Sequence, residues 1–138
     1  MAGAVEVRIT NLLFAHVGKL EITPPLPIAY PGLAFTPPAG TYLEVLMLPN
    51  VNINRGLAAT DSTQFRGILQ VTVVAPGNSG IVAPTAIASE IVEHFERGTQ
   101  IFDESLRIKI EGRPSIATAI QEPERIRVPV SIRWHAFA

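Results

Sequence analysis

The sequence predicts a single α+β domain over residues 1–138, with a mixed, mostly antiparallel β-sheet and two α-helices packed on one of its faces. Two patterns carry this prediction. Apolar residues recur at helical spacing near the start of the chain and again over residues 83–97, whereas residues 125–135 alternate strictly between apolar and polar. Strands and helices that follow one another without a regular βαβ repeat are typical of the α+β class.

The first half of the chain is predicted to hold one helix, a proline-rich arm and two strands. Residues 4–20 place apolar side chains on one helical face. Six prolines within residues 23–38 exclude helix and central strand, so we predict an extended arm with a short edge strand at Ile28-Ala29-Tyr30. Two strands, separated by a long loop or loose hairpin at residues 49–63, are predicted over residues 41–48 and 65–75.

The second half begins with the clearest helix, in which apolar residues recur every fourth position. Pro84 fits the first turn of this helix, and Gly98 fits the C′ position just after its last turn. We expect residues 77–80 to form a turn that also caps this helix. A hairpin of residues 100–102 with residues 106–110 follows, and then a separate strand over residues 115–119.

The last strand allows the sharpest prediction, because its two faces differ in polarity. Its polar side includes Pro129, which has no backbone N–H to donate to a neighbouring strand. This proline therefore indicates an edge position or a bulge. The apolar side of the strand is expected to pack under the helices: Ile126, Val128, Val130, Ile132 and Trp134. The outward arginines of this strand are expected to stay hydrated in the monomer and to be available to a neighbour.

Composition excludes several classes of protein. The chain has 47% hydrophobic and 17% charged residues, which is typical of a packed globular domain. It has no cysteine, which excludes a disulfide framework, thiol catalysis and cysteine-ligated metals. Its net charge of -1 gives no overall attraction to nucleic acid or to an anionic membrane. No apolar run approaches the ~18 residues of a spanning helix and no signal peptide is evident, so we expect a soluble protein made in a cytoplasm.

No set of residues predicts catalysis, a metal or a cofactor. His16, His94 and His135 are not spaced as metal ligands, and a structural role is favoured for them. Asp61 and Ser62 lack the glycine-flanked turn of a catalytic nucleophile and are interpreted as a turn before the next strand. We therefore predict that the protein is not an enzyme.

Basic residues lie on the polar faces of the late strands, where they could follow a phosphate backbone. No aromatic residue is expected to interleave with them and stack on bases. A hydrated sheet face, or one that pairs with acids of another subunit, is therefore the favoured interpretation. The residues concerned are Arg107, Lys109, Arg125, Arg127 and Arg133.

Several short segments form an ordered set. The first three are residues 26–31 (LPIAYP), 35–38 (FTPP) and 42–45 (YLEV). The next three are residues 66–71 (RGILQV), 94–99 (HFERGT) and 127–132 (RVPVSI). This set, which lies within residues 26–134, resembles the tail-terminator proteins of phages with long, non-contractile tails.

The resemblance implies a virion structural protein at the tail–head junction, made in the host cytoplasm. Members of this family form a hexameric ring on the last ring of the major tail tube protein. The ring ends tube polymerisation and presents the surface that joins the head-side connector or neck protein. DNA is expected to pass through the ring without specific binding, and no catalytic residue, cofactor, metal or membrane is implied.

Candidate interface residues lie in the loop at residues 49–63 and on the polar faces of two strands. Loops longer than ~12–15 residues in compact domains are usually functional or disordered. They are Asn50, Asn52, Asn54, Arg55, Asp61, Arg66, Arg125, Arg127 and Arg133. Two alternatives stay open. A head–tail connector or neck protein would bind head-side portal components without tube, and a nucleic-acid-binding module would bind DNA with a steep salt dependence.

Overall fold

The computed structural model describes residues 5–22, 25–49, 53–54, 63–104 and 106–137. Its two helices are α1 (Val5–Gly18) and α2 (Val82–His94). Its strands are β1 (Ile28–Ala29), β2 (Tyr42–Pro49), β3 (Ile53–Asn54), β4 (Thr63–Pro76), β5 (Gln100–Asp103), β6 (Leu106–Ile116), β7 (Ile120–Gln121) and β8 (Arg125–Phe137). The predicted α+β class is confirmed.

The described strands form one sheet in the order β1-β2-β4-β8-β6-β5, with β3 beside β4 and β7 beside β8. The first strand runs parallel to β2, and the other described pairs are antiparallel. The longest ladder joins β4 to β8, from Gln64 opposite Phe137 to Pro76 opposite Arg125. The mixed sheet and the short strand at the edge are as predicted.

Both helices pack on the same face of this sheet, hereafter the inner face. Helix α1 contributes Ile9, Leu13 and Val17, which recur every fourth residue. From α2 come Ala88, Ile91, Val92 and Phe95. The sheet residues that pack in the core under the helices alternate along the strands, and they include the whole predicted set of β8: Ile126, Val128, Val130, Ile132 and Trp134. Each larger apolar side chain buried here stabilises the fold by about 1.5–3 kcal/mol.

The C-terminal turns of the two helices are joined by His16 and His94, whose rings stack at 4.1 Å between centroids. The His16 Nε2 lies 3.0 Å from the carbonyl oxygen of His94, and the His94 Nε2 lies 2.6 Å from that of His16. Because a carbonyl oxygen only accepts, each ring donates an Nε2–H. Both carbonyl groups lie at helix ends, where acceptors can lack a partner within the helix; that of His16 also accepts from the backbone nitrogen of Lys19 at 3.1 Å.

Burial lowers the pKa of His16 below 6.5. The hydrogen bond with the His94 carbonyl opposes this change, whereas the nearby charges of His94 and Lys19 add to it. The neutral ring is therefore favoured at this helix junction, in agreement with the structural role predicted for His16.

Strand β6 is one bulged strand, so the separate strand predicted over residues 115–119 is wrong. Three of its residues, 112–114, oppose the single residue Ile132 of β8. Gly112 has a φ of 57°, a left-handed conformation that glycine adopts without steric cost and that bulges often require. The break that Gly112 and Pro114 predicted is therefore a kink within a continuous strand.

Pro129 lies in β8, at the centre of the sheet, so the predicted edge position is wrong. On the other side from β4, its carbonyl oxygen accepts a hydrogen bond from the backbone nitrogen of Ala117 at 2.9 Å. The nitrogen and carbonyl of one strand residue face the same neighbour. The nitrogen of Pro129 therefore faces Ala117, just beyond Ile116, so its missing N–H falls at the point where β6 ends and its pairing with β8 stops.

The ends of α2 also differ from the prediction. Its N-cap is Ile81, which makes no side-chain cap bond. The Ser79 hydroxyl instead donates to the Pro76 carbonyl oxygen, at 2.6 Å, within the preceding turn. The C-cap is Phe95, so Gly98 lies in the turn before β5 and not at the helix stop. Only the place of Pro84 in the first turn is confirmed.

Candidate interface on the outer face of the sheet

The face of the sheet opposite the helices, hereafter the outer face, carries the residues that alternate with the buried set. At one end of this face, Val74 of β4 lies between Tyr42 of β2 and Arg127 of β8. At the other end, Arg107 of β6 lies between Phe102 of β5 and Phe137 of β8. The two ends differ in how far other segments of the chain cover them.

The end near Tyr42, hereafter the covered end, is closed by the proline-rich arm. The ring of Phe35 lies 5.2 Å from that of Tyr42, measured between centroids. Arg125 places its guanidinium 5.4 Å from the Tyr42 ring centre and donates to the carbonyl oxygens of Gly40 at 2.9 Å and Pro38 at 2.6 Å. As a result Tyr42 is only 6% exposed.

Arg127 also has its partners within the chain. Its Nε donates to Glu122 at 2.7 Å, and its Nη1 donates to Glu44 at 3.2 Å. The hydrogen bond with Glu122 raises the pKa of Arg127, partial burial opposes this, and the charge and hydrogen bond of Glu44 raise it further. The prediction that the outward arginines of the last strand stay hydrated is therefore wrong for Arg125 and Arg127.

The other end, hereafter the open end, has no such cover from the described residues. Its residues line an open cleft of about 520 Å³. Phe102 is 66% exposed and Phe137 is 42% exposed. Arg107 lies between them in the sheet, with its guanidinium carbon 6.0 Å from the Phe102 ring centre. Lys109 is exposed in the next outward position of the same strand.

Aromatic rings therefore do interleave with basic residues, contrary to the prediction. Phe102 and Phe137 are distant in sequence from each other, and the pairing of β5, β6 and β8 brings them to either side of Arg107. This arrangement combines apolar surface with positive charge. Such a surface suits a partner that offers apolar groups and carboxylates or phosphates.

His135 lines the cleft of the open end, and Arg133 lies on β8 between the two ends. The Nδ1 of His135 is 2.7 Å from a carboxylate oxygen of Glu111, a contact that becomes an ion pair when the ring is protonated. Arg133 pairs in register with Glu111 and is exposed, and it forms no ion pair with any residue that the structure describes.

The predicted site residues are not brought together into one cluster. Arg133 alone among the three arginines of β8 is exposed, and Arg66 is half-buried opposite His135 in the register. Asn54 lies in β3, paired with Thr63, and its side chain is outside the description. Four further candidates lie outside the described residues: Asn50, Asn52, Arg55 and Asp61.

The open end is the feature that the interface prediction missed. The strand pattern predicts that Arg107 and Lys109 face outward, but it does not place Phe102 and Phe137 beside them. The available signal was the predicted hairpin of residues 100–102 with 106–110, which already places Phe102 beside Arg107. The place of Phe137 depends on the longer-range pairing of β6 with β8.

Other kinds of site have little support from the geometry. Within the ranges that the structure describes, no three histidine, aspartate or glutamate side chains are grouped so that they could hold a metal ion. Neither described helix is long and apolar enough to cross a membrane.

Comparison with known proteins gives two matches. The family model described as "Phage tail terminator protein" matches residues 8–134. A solved structure, whose title states no function, superposes with a TM-score of 0.74 at 28% sequence identity. The superposition covers 92% of this chain and 94% of the other. No curated protein matches the sequence.

Proposed function

Because the chain belongs to the phage tail terminator family, and is therefore a structural protein of the phage tail, we propose that it forms a six-membered ring that caps the tail tube. One side of the ring binds the last ring of the major tail tube protein and ends its polymerisation. The other side joins the head-side connector or neck protein. The ring lies at the tail–head junction of the virion, and DNA passes through it without specific binding.

The observation that carries this proposal is the uncovered part of the outer face. Both helices pack on the inner face, and the arm closes only the covered end. Large apolar side chains stay exposed beyond the arm, including Leu46 at 45% and Phe102 at 66%. Apolar surface of this kind normally marks a contact with another protein. A head-to-tail contact repeated around an axis gives a closed ring when the rotation between neighbouring subunits divides a full turn into a whole number of steps.

We assign the polar candidates to contacts made by this ring with its axial partners. Asparagine amides both donate and accept, so Asn50, Asn52 and Asn54 suit the polar rim of an interface. Arg55, Asp61, Arg66 and Arg133 add charges that can set the orientation of a partner. Substituting these residues one at a time would show which of them contact the tube and which contact the head side.

The proposal is tested by adding the full chain to growing tubes of purified major tail tube protein. We expect tube growth to stop, with six-subunit rings at tube ends in negative-stain images. A chain that stays monomeric by light scattering and leaves tube lengths unchanged contradicts the proposal.

The same preparation separates the neck alternative. A connector or neck subunit binds purified head-side portal components in the absence of tube and does not arrest tube growth. For a terminator we expect the reverse order, with binding to the head side only after the ring has formed on a tube end.

A further inference from the structure

Charges without an internal partner lie on opposite sides of the molecule. On the outer face, Arg107 and Lys109 are exposed and form no ion pair with a described residue. On the helix side, the same holds for Glu90 and Glu93 of α2. Among the described residues, two cations without an ion-pair partner therefore lie together on the outer face and two carboxylates without one lie together on α2.

The acidic side is a stripe along α2. Val82, Ala86, Glu90 and Glu93 are exposed and recur at helical spacing, opposite the buried residues of this helix. Val82 is 82% exposed, so the stripe begins apolar and ends acidic. At its acidic end an open cleft is lined by Lys19, Leu20, Glu21, Glu90, Glu93 and His94, with more carboxylates than cations.

We infer that the open end of one subunit binds the outward stripe of α2 on the next subunit, so that Arg107 and Lys109 face Glu90 and Glu93 and the exposed phenylalanines meet the apolar start of the helix. This inference rests on the proposed ring and names the surfaces that close it.

The spacing of the charges fits this contact. Glu90 and Glu93, three apart on a helix, have Cβ atoms about 5–6 Å apart. Arg107 and Lys109, two apart on a strand, are separated by about 7 Å along it. Both pairs are short enough for two side-by-side ion pairs with flexible side chains.

The segregation of charge also favours a head-to-tail arrangement. Two open ends placed together would bring Arg107 and Lys109 of one copy against the same residues of the other. Two α2 stripes placed together would oppose carboxylates. Like charges placed against each other across an interface repel, so the self-complementary dimer is disfavoured. Only contacts between unlike surfaces remain, and these generate rings or filaments.

A second copy fits the open end better than DNA does. A DNA-binding surface derives its affinity from many cations, whereas this cleft is lined by Arg107 and Lys109 together with the carboxylate of Glu104. The two exposed phenylalanines match the apolar start of the α2 stripe, and a duplex backbone offers them no apolar group.

The test is a charge exchange in the full chain. The first variant carries Arg107→Glu with Lys109→Glu, and the second carries Glu90→Lys with Glu93→Lys. We expect each alone to weaken self-association roughly a hundredfold in sedimentation, because like charges then meet at the contact. Mixed at equal amounts, the two variants are expected to associate again in alternation, and the chain with all four changes is expected to form rings by itself.

The control for the Glu90→Lys with Glu93→Lys variant is Glu6→Lys with Glu124→Lys, which makes the same change in net charge at two exposed positions outside the two proposed surfaces. We expect it to associate like the wild type. Folding of every variant is checked by circular dichroism. If a reversal unfolds the chain, the neutral pair Arg107→Gln with Lys109→Gln replaces it, with a smaller loss expected.

The outcomes separate this inference from the proposed function. If the wild type neither associates nor arrests tubes, both fail. If the wild type forms rings and the reversed variants do so equally well, or if mixing restores nothing, only the inference fails. If reversal at the open end leaves rings intact but abolishes retention of duplex DNA, the open end binds nucleic acid and the inference is overturned.

Discussion

The two ends of the outer face use the same residue types in opposite ways. At the covered end, Arg125 donates to two carbonyl groups of the arm, and Arg127 is bonded to Glu44 and Glu122. At the open end, Arg107 lies over the exposed ring of Phe102 and forms no ion pair with a residue that the structure describes. An arginine on a polar strand face is therefore available to a partner only if no distant segment of its own chain has already bound it.

The largest loss of stability is expected from a substitution on the inner face of β8, and the losses at the two ends of the outer face are compared with it. Val130→Ala removes two buried methyl groups from the centre of the core, where the side chain is 0% exposed. We expect the free energy of unfolding to fall by about 2–3 kcal/mol, since a cavity adds to the lost burial. Denaturant titration measures it, and an unchanged midpoint would contradict the position given to β8.

The comparison itself is tested by Arg125→Ala and Arg107→Ala. Loss of Arg125 leaves two arm carbonyls without a donor and uncovers Tyr42, so we expect a cost of about 1–2 kcal/mol in unfolding free energy. For Arg107→Ala the change is expected to stay within about 0.5 kcal/mol. Equal stability losses would remove the distinction between the two ends.

A charge reversal at each end sharpens the same comparison. Arg127→Glu places a third carboxylate beside Glu44 and Glu122, and we expect it to destabilise the monomer by about 1 kcal/mol. Lys109→Glu is expected to leave the melting temperature unchanged and to weaken self-association. Thermal melts measure the first effect and sedimentation measures the second. A wild-type melting temperature for Arg127→Glu together with a lowered one for Lys109→Glu would contradict the difference between the two ends.

The smallest effect is expected at the helix junction, away from both ends. The lowered pKa of His16 means that the unfolded chain binds its proton more readily than the folded chain does. This contribution to stability is therefore present above pH 6.5 and is lost as the pH falls towards the folded-state pKa. In His16→Gln, whose amide can still donate to the His94 carbonyl, we expect a smaller drop in melting temperature between about pH 7.5 and about pH 5.5. An equal drop in both proteins would exclude His16 as its source.

The elements with local periodicity were predictable. The strict alternation of β8 follows from burial on one face, and the structure confirms it. The fourfold repeat of α2 is confirmed at Ile87, Ile91 and Phe95, whereas Ala83, at its start, is exposed. Pro129 shows where this reasoning stops. Whether a strand residue needs its N–H depends on which neighbour faces it, and here β6 ends just before that point.

The interface was less predictable because it depends on contacts between distant segments. The bonds from Arg125 reach Pro38 and Gly40, more than eighty residues earlier in the chain. Phe137 comes beside Arg107 only through the pairing of β6 with β8. Polarity along a strand identifies which residues face outward, but it does not identify which of them the chain itself will cover.

The most direct test of the ring account uses the absence of cysteine from the sequence. A chain carrying Lys109→Cys with Glu93→Cys is treated with a short bis-maleimide, and the products are separated by mass. Each copy then offers one thiol of each kind, so head-to-tail contacts are expected to give a ladder of covalent oligomers that ends at six subunits. Either single-cysteine chain is the control and is expected to stay uncoupled. Products that end at dimers, or no coupling at concentrations where rings form, would contradict the account.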